Sequence, residues 1–213
     1  MSASAQLELF GRGEPQFDAA FAGLRRIELD RDAWLELVPG WLRGHQALFD
    51  TLRAHTRFRS ESRVMYERTV EVPRLIAVLG HGEDGLCPPI VGAMQAALSE
   101  RYGQAFSRVS LGYYRDGRDS VAFHGDRVAR TLPSALVATV SVGAPRRFLL
   151  RPVAGGSSRS FSLGRGDLLV MGGSCQRTWQ HAIPKSRTVG EQPRIAIMFR
   201  PHWFELPDGE APR

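Results

Sequence analysis

The sequence of 213 residues contains a single lysine and two cysteines, and it has no long uninterrupted hydrophobic run. Cys87 and Cys175 lie far apart and outside any Cys-x-x-Cys spacing, which argues against a disulfide framework or a structural zinc site. No segment approaches the roughly 18 apolar residues of a membrane span, and the N-terminus lacks the pattern of a secretory signal. We therefore expect a cytoplasmic monomer, without membrane attachment, that forms one hydrophobic core.

The positive charge of the chain is almost entirely arginine, since Lys185 is the only lysine. The formal net charge is +6 and the isoelectric point is about 10.1. Guanidinium groups pair well with phosphate, so this surface is compatible with binding a polyanion. Genome composition could equally account for the preference for arginine over lysine, and the charge alone therefore leaves nucleic-acid binding open.

The first half of the sequence predicts a few helices and strands after a polar lead-in at residues 1–30. Residues 33–38 have the apolar character of a strand, and residues 44–55 that of a short helix. The Arg- and Glu-rich segment 57–72 predicts an exposed hairpin or lid over a substrate or nucleotide, and a solvated edge strand with alternating charges is the alternative. Pro88-Pro89 opens a second helix, and Gly103 closes it.

From Phe106 onward the sequence changes to short β-type runs separated by Gly and Pro. Runs of this length and spacing are typical of a double-sheet jelly roll. We therefore predict an α+β protein, with N-terminal helices packed on one sheet of a double-stranded β-helix (jelly-roll) core. Within this single domain we expect a lead-in at 1–30, a helical and lid segment at 31–106, and the core at 107–204. The eight predicted strands are 107–114, 120–126, 135–142, 147–153, 159–163, 167–172, 177–183 and 194–200.

A histidine and an aspartate stand two residues apart in the second of these runs. Side chains two apart on a strand share a face, so His124 and Asp126 are predicted to project together. With His181 from a later strand they would complete the 2-His-1-carboxylate set of a non-haem Fe(II) site, which leaves coordination positions open. An isolated His-x-Asp is weak support, because a polar surface strand or turn gives the same pattern.

The last predicted strand carries two arginines, Arg194 and Arg200, on one face. Six residues of strand span roughly 20 Å, so the two guanidinium groups must reach separate points. A dicarboxylate lying between them is a natural partner, because each guanidinium can bind one carboxylate through two hydrogen bonds. Two exposed arginines on an edge strand remain the alternative.

Together these residues resemble the signature of the AlkB family of Fe(II)- and 2-oxoglutarate-dependent dioxygenases. The resemblance covers residues 60 to 202 approximately and rests on the order and spacing of His124-x-Asp126, His181 and the arginine pair. Three supporting segments also resemble family elements. They are Val72-Pro-Arg74 before the substrate-side loop, Tyr113-Tyr-Arg-Asp-Gly117 before the iron strand, and Gly166-Asp-Leu-Leu-Val-Met171 before the distal histidine.

The resemblance implies a role for each of these residues. His124, Asp126 and His181 would bind Fe(II). Arg194 would pair with the far carboxylate of the co-substrate 2-oxoglutarate, helped by the Tyr114 hydroxyl, and Arg200 would lie near the keto-acid end as part of the catalytic set. With O₂, this machinery would hydroxylate an N-methyl group on an alkylated base in DNA or RNA. The co-substrate would become succinate and CO₂, and the methyl group would leave as formaldehyde.

The sequence departs from the family pattern at four places. Gly112 stands where an asparagine is common, and Ala196 where a polar residue is common. Val128 replaces an acidic residue that often faces the base, and no aromatic residue follows the Pro-Arg segment. A flipped base needs stacking and edge contacts, and the side chains nominated for these contacts are Tyr66, Arg74, Phe123 and Trp179.

Two other functions remain open at this stage. The same machinery could hydroxylate a protein side chain or a small metabolite, which the missing acidic and aromatic residues favour and the basic charge disfavours. Alternatively, the chain could be a catalytically silent jelly-roll module that binds nucleic acid, with the arginine pair serving structure only.

Overall fold

The computed structural model describes residues 11–65, 68–80, 85, 87–126, 132–186 and 192–201, without the side chains of 61–65 and 68–71. Three helices are described: α1 (His45–His55), α2 (Pro89–Tyr102) and the short α3 (Cys175–Thr178). The strands are β1 (Gln16–Phe17), β2 (Arg25–Glu28), β3 (Ala33–Val38), β4 (Leu42–Arg43), β5 (Arg59–Met65), β6 (Arg68–Leu79), β7 (Phe106–Tyr114), β8 (Val121–His124), β9 (Val137–Gly143), β10 (Arg146–Pro152), β11 (Arg159–Leu163), β12 (Asp167–Gly173), β13 (Trp179–Ile183) and β14 (Arg194–Pro201).

Two antiparallel sheets form the body of the protein. The larger has eight strands in the order β2-β3-β12-β9-β14-β7-β6-β5, and the smaller has four in the order β11-β10-β13-β8. From β7 to β14, consecutive strands alternate between the two sheets except at the β10–β11 hairpin. This alternation is the eight-stranded jelly-roll arrangement that the spacing of the β-type runs predicted.

The hydrophobic core consists of two clusters on opposite faces of the larger sheet. One cluster joins α1 and α2 to β7, β9 and β14, with Phe49, Met94 and Ile197 among its buried members. The other fills the space between the sheets and includes Tyr114, Phe148 and Ala196. The candidate site residues on the larger sheet therefore belong to the face that looks toward the smaller sheet.

The predicted helix ends agree with the structure of α2. Pro89 occupies its first turn, where a missing backbone N–H costs nothing. Gly103 ends it in the left-handed region at φ 60°, which glycine adopts without steric penalty. No helix in the described ranges is long and apolar enough to cross a membrane.

Three segments differ from the sequence-based expectation. The run predicted as 120–126 is a strand only over Val121–His124, so Asp126 follows the strand instead of belonging to it. The segment at 57–72 does form a hairpin, but its second strand, β6, continues to Leu79 and pairs with β7. Within the lead-in, β2 is the edge strand of the larger sheet. The domain boundaries themselves stay predictions.

The central position of β14 in the larger sheet gives a test of the fold. Ile197 is fully buried between α1, α2 and the sheet, so Ile197→Ala should lower the free energy of unfolding by about 2–5 kcal/mol. Urea denaturation would measure the change. Val153→Ala is the control, because Val153 is 57% exposed and should cost less than about 0.5 kcal/mol. Equal losses in the two variants would contradict the placement of β14 in the core.

Candidate metal centre and co-substrate pocket

The two predicted histidine ligands lie opposite each other on neighbouring strands of the smaller sheet. His124 ends β8, His181 lies on β13, and the two residues are paired in the register of the sheet. Their ring centroids are 4.3 Å apart. Asp126 joins them from just beyond β8, and the ligand atoms of all three residues lie within 4.8 Å of one another. In the described part of the chain this is the only such group.

Both imidazoles are held neutral, with lone pairs available to a metal. Burial among protein atoms lowers the pKa of His181 to about 3, and the neighbouring His124 ring acts in the same direction. Burial also lowers the pKa of His124. Nδ1 of His124 lies 2.9 Å from the carbonyl oxygen of Ala122, a contact that assigns the proton to Nδ1 and leaves Nε2 as the ligand atom.

The carboxylate of Asp126 is buried and forms an ion pair with Arg200. Arg200 Nε donates to Asp126 Oδ2 at 2.8 Å, and Nη2 lies 3.4 Å from Oδ1. Burial raises the pKa of Asp126, but the attraction and hydrogen bonds of Arg200 outweigh it and hold the pKa at about 2. Asp126 is therefore ionised and oriented before any metal binds.

Sequence reasoning missed three residues that support this centre. The side-chain oxygen of Gln176, on α3, accepts a hydrogen bond from the backbone N–H of Asp126 at 3.0 Å. Phe148 stacks on the His181 ring with centroids 5.6 Å apart. Ser110 accepts a hydrogen bond from Arg200 Nη1 at 2.7 Å. No local signal marks these residues, because each lies far along the chain from its partner.

Arg194 is the other arginine of β14. It lies on the same buried face as Arg200, six residues before it along the strand. Its side chain is 1% exposed, and its Nη2 donates to Ser141 Oγ at 2.7 Å. It lies beside the ring of Tyr114, with 5.4 Å between the guanidinium carbon and the ring centroid. Its Nε and Nη1 have no hydrogen-bond partner among the described residues. Burial of this charge lowers the pKa of Arg194 to about 10.

The two arginines of β14 have different partners, and they reach separate points as their spacing predicted. β14 is a central strand, which rules out two exposed arginines on an edge. Arg200 is already engaged by Asp126, whereas Arg194 keeps two buried donors for a ligand. A carboxylate bound at Arg194 would satisfy them. The role predicted for Arg200 near the keto-acid end stays a prediction.

The four side chains nominated for substrate contact have different surroundings. Tyr66 lies outside the described residues, as does Val128. Phe123 lies beneath the Arg151 guanidinium at 3.9 Å, on the face of β8 opposite to His124. Trp179 is buried, and its indole N–H donates to Asp30 Oδ2 at 2.7 Å. Their substrate roles stay predictions.

Arg74, the fourth nominated residue, contacts a residue that the sequence assigned to the co-substrate. Its Nη1 donates to the Tyr114 hydroxyl at 3.2 Å. Its positive charge also contributes to lowering the pKa of His181. Arg74 is therefore close to the groups that the sequence assigned to 2-oxoglutarate and iron.

The residues present fit the cofactors that the sequence implied. Two neutral imidazoles and one ionised carboxylate are the donor set of a non-haem Fe(II) site with open positions. The unpaired donors of Arg194 suit one carboxylate of a dicarboxylic co-substrate. A jelly roll that carries this ligand set at one end of its smaller sheet defines a class, the non-haem iron oxygenases.

Comparison with known proteins gives the family within that class. Residues 84–200 match the family model of the 2OG-Fe(II) oxygenase superfamily. The chain belongs to this superfamily, and it is similar to AlkB homologues among curated proteins, as the resemblance of its site residues predicted.

Among curated proteins, the chain is similar to alpha-ketoglutarate-dependent dioxygenase alkB homolog 3 from Mus musculus. The two are 31% identical over 121 residues, which is 53% of this chain and 42% of the relative. It is also similar to DNA oxidative demethylase ALKBH2 from Homo sapiens, at 31% identity over 120 residues, 53% of this chain and 46% of the relative. The matched region thus spans less than half the length of these two relatives.

Solved structures support the jelly-roll fold. The structure described as that of OsALKBH1 superposes with a TM-score of 0.60 at 15% identity, covering 84% of this chain and 100% of that one. A prolyl hydroxylase from Trichoplax adhaerens, solved with a hypoxia inducible factor peptide fragment, superposes with a TM-score of 0.52 at 10% identity. It covers 72% of this chain and 74% of that one. At these identities the likeness concerns the fold alone.

Metal binding gives a direct test of the three ligands. Mn(II), as a substitute for Fe(II), should raise the unfolding temperature of the wild-type chain, because a ligand that binds only the folded state stabilises it. His181→Ala removes one ligand of three and should abolish the rise. His55→Ala, which alters an exposed histidine at the end of α1, should retain it. A full rise in His181→Ala would contradict the assignment of this residue as a ligand.

The buried ion pair gives a second test. Arg200→Ala leaves the buried Asp126 carboxylate without its partner, and we expect a loss of about 3–5 kcal/mol in the free energy of unfolding. Arg118→Ala is the matched control: it removes an exposed arginine that pairs with Asp116 at 2.6 Å, and solvent screening of this pair means that the free energy of unfolding should change little. Chemical denaturation of the metal-free proteins measures both. Similar losses would mean that the buried pair contributes no more than a surface pair.

Proposed function

We propose that this chain is an Fe(II)- and 2-oxoglutarate-dependent dioxygenase that oxidatively removes alkyl groups from bases in DNA or RNA. The observation that carries the oxygenase half is the convergence of His124, Asp126 and His181 on one point, together with the unpaired donors of the buried Arg194 on the facing sheet. The substrate half rests on the similarity to proteins named as alkB homolog 3 and DNA oxidative demethylase ALKBH2.

In this proposal each described residue has a physical task. The two imidazoles and the Asp126 carboxylate hold Fe(II), while Arg200 keeps that carboxylate ionised and fixed in direction. Arg194 binds the far carboxylate of 2-oxoglutarate in a site where burial strengthens the attraction. With both bound, Fe(II) and 2-oxoglutarate supply the oxidation of a C–H bond by O₂, coupled to decarboxylation to succinate and CO₂.

Apolar side chains lie between the two arginines on the inner face of β14. Ala196 and Met198 lie between Arg194 and Arg200 on the same face of β14, and both pack in the core cluster between the sheets. Ala196 stands where the family commonly has a polar residue.

A nucleic-acid substrate agrees with the charge of the chain. The net charge of +6 comes almost entirely from arginine, which binds phosphate through paired hydrogen bonds. A base must leave the stack to bring its alkyl group to the metal, and an unpaired or damaged base does so at least cost. We therefore expect single-stranded or locally unpaired alkylated sites to be the better substrates.

Product analysis tests the proposal. The purified chain would be incubated with Fe(II), 2-oxoglutarate and single- and double-stranded DNA and RNA oligonucleotides that carry methylated bases. We expect formaldehyde and succinate in equal amounts, with loss of the methyl group detected by mass spectrometry of the oligonucleotide. His181→Ala is the inactive control, and His55→Ala is the matched active one.

The outcomes separate the two halves of the proposal. Succinate without any demethylated oligonucleotide, across all lesions tested, would retain the oxygenase and contradict the nucleic-acid substrate; hydroxylation of a protein side chain or a metabolite would then be the function to pursue. No succinate from a protein that binds both Mn(II) and 2-oxoglutarate would contradict the oxygenase half itself.

A further inference from the structure

Three residues from three adjacent strands form a continuous row on the inner face of the larger sheet. Tyr114 of β7 pairs directly with Arg194 of β14. In the register of β6 with β7, Leu75 pairs with Tyr113 and Ile76 with Gly112, so Arg74 comes opposite Tyr114 one step further along. Residues opposite each other on antiparallel strands share a face and are in contact. We refer to Arg74, Tyr114 and Arg194 as the cationic row.

The absence of a side chain at position 112 leaves room for the Arg74 guanidinium. A Cβ atom built on Gly112 would lie 3.5 Å from Met198 Cε, 3.7 Å from Tyr114 Cε2 and 3.9 Å from Arg74 Nη1. Arg74 therefore lies beside the space that the asparagine common in the family would enter. β7 has no side-chain hydrogen-bond donor at Gly112. Arg74, on the neighbouring strand β6, brings a donor to this place.

In the hydrogen bond between Arg74 and Tyr114, only Arg74 can be the donor. A guanidinium has donors and no acceptor, so the Tyr114 oxygen must accept the bond from Arg74 Nη1. The hydroxyl proton of Tyr114 must then point away from Arg74, and no acceptor for it is found in the described ranges. Tyr114 is 2% exposed, so this proton cannot simply be satisfied by bulk water.

The free Tyr114 proton and the free Arg194 donors belong to the same buried region. Arg194 has two donors, Nε and Nη1, without a partner in the part of the chain that the structure describes, and it lies alongside the Tyr114 ring. Several donors without a matching acceptor are costly in a buried site. A carboxylate is the group that accepts from all of them at once and also neutralises the local positive charge.

We propose that Arg74 is a positioning residue for the co-substrate. By donating to the Tyr114 oxygen, it directs the Tyr114 O–H toward the carboxylate that Arg194 binds. This gives Arg74 a role different from the substrate contact for which it was nominated. It also connects the β5–β6 hairpin to the co-substrate pocket. The inference rests on 2-oxoglutarate as the co-substrate, but it does not depend on which molecule is demethylated.

A double-mutant cycle on co-substrate affinity tests the role of Arg74. The full chain loaded with Mn(II) would be titrated calorimetrically with 2-oxoglutarate for wild type, Arg74→Met, Tyr114→Phe and the double variant. We expect each single variant to weaken binding by about 10-fold or more, the size expected for one hydrogen bond to a charged group. If Arg74 acts through Tyr114, the double variant should bind within about 2-fold of Tyr114→Phe.

A second ligand separates positioning from general damage to the pocket. 2-Oxobutyrate has the keto acid of 2-oxoglutarate but no second carboxylate, so Arg74→Met should leave its affinity within about 2-fold of wild type. Arg118→Met, an exposed arginine away from the row, is the matched control and should change neither affinity. If Arg74→Met does not fold, Arg74→Gln takes its place in the same cycle.

Three results would overturn the inference. They are unchanged affinity for 2-oxoglutarate in Arg74→Met, losses that multiply in the double variant, and an equal loss for both keto acids. The experiment contains no nucleic acid and no O₂ chemistry. Its failure would therefore leave the demethylation test unaffected, and a failed demethylation test would leave this one interpretable.

Discussion

Asp126 keeps its charge in a buried position because Arg200 reaches it from the opposite sheet. Asp126 follows β8 of the smaller sheet, whereas Arg200 lies on β14 at the centre of the larger sheet. A carboxylate buried without a partner would tend to take up a proton, and a protonated acid is a poor metal ligand. The ion pair therefore connects the two sheets at the point where the three metal ligands meet.

The two sheets divide the site between them. The smaller sheet supplies both imidazoles from neighbouring strands, and the larger sheet supplies arginines from β6 and β14 with the Tyr114 hydroxyl of β7 between them. This division follows from the jelly-roll alternation, which brings residues from both halves of the core to one inner space. It also brings a side chain of one strand beside the backbone of its neighbour, as with Arg74 of β6 and Gly112 of β7.

Much of this arrangement could be predicted from the sequence, because it depends on local backbone geometry. The two-residue period of a strand puts Arg194 and Arg200 on one face, as the structure has them. Pro88-Pro89 and Gly103 mark the ends of α2 through their own φ preferences. The order and spacing of His124, Asp126 and His181 predicted the group that the structure brings together and, through the resemblance to AlkB proteins, the 2OG-Fe(II) oxygenase superfamily that the comparison confirmed.

Only the tertiary structure decided which partner each of these side chains meets. Arg200 pairs with Asp126, Gln176 holds the backbone of Asp126, Phe148 stacks on His181, and Arg74 donates to Tyr114. Each contact joins residues that lie 33 to 74 positions apart along the chain. Such contacts depend on strand register and on the stacking of two sheets, and a one-residue shift in register would turn the side chains of a strand to the opposite face. The sequence by itself determined the candidate ligands and the shared face of Arg194 and Arg200, and the packing of the sheets determined the contacts that orient these side chains.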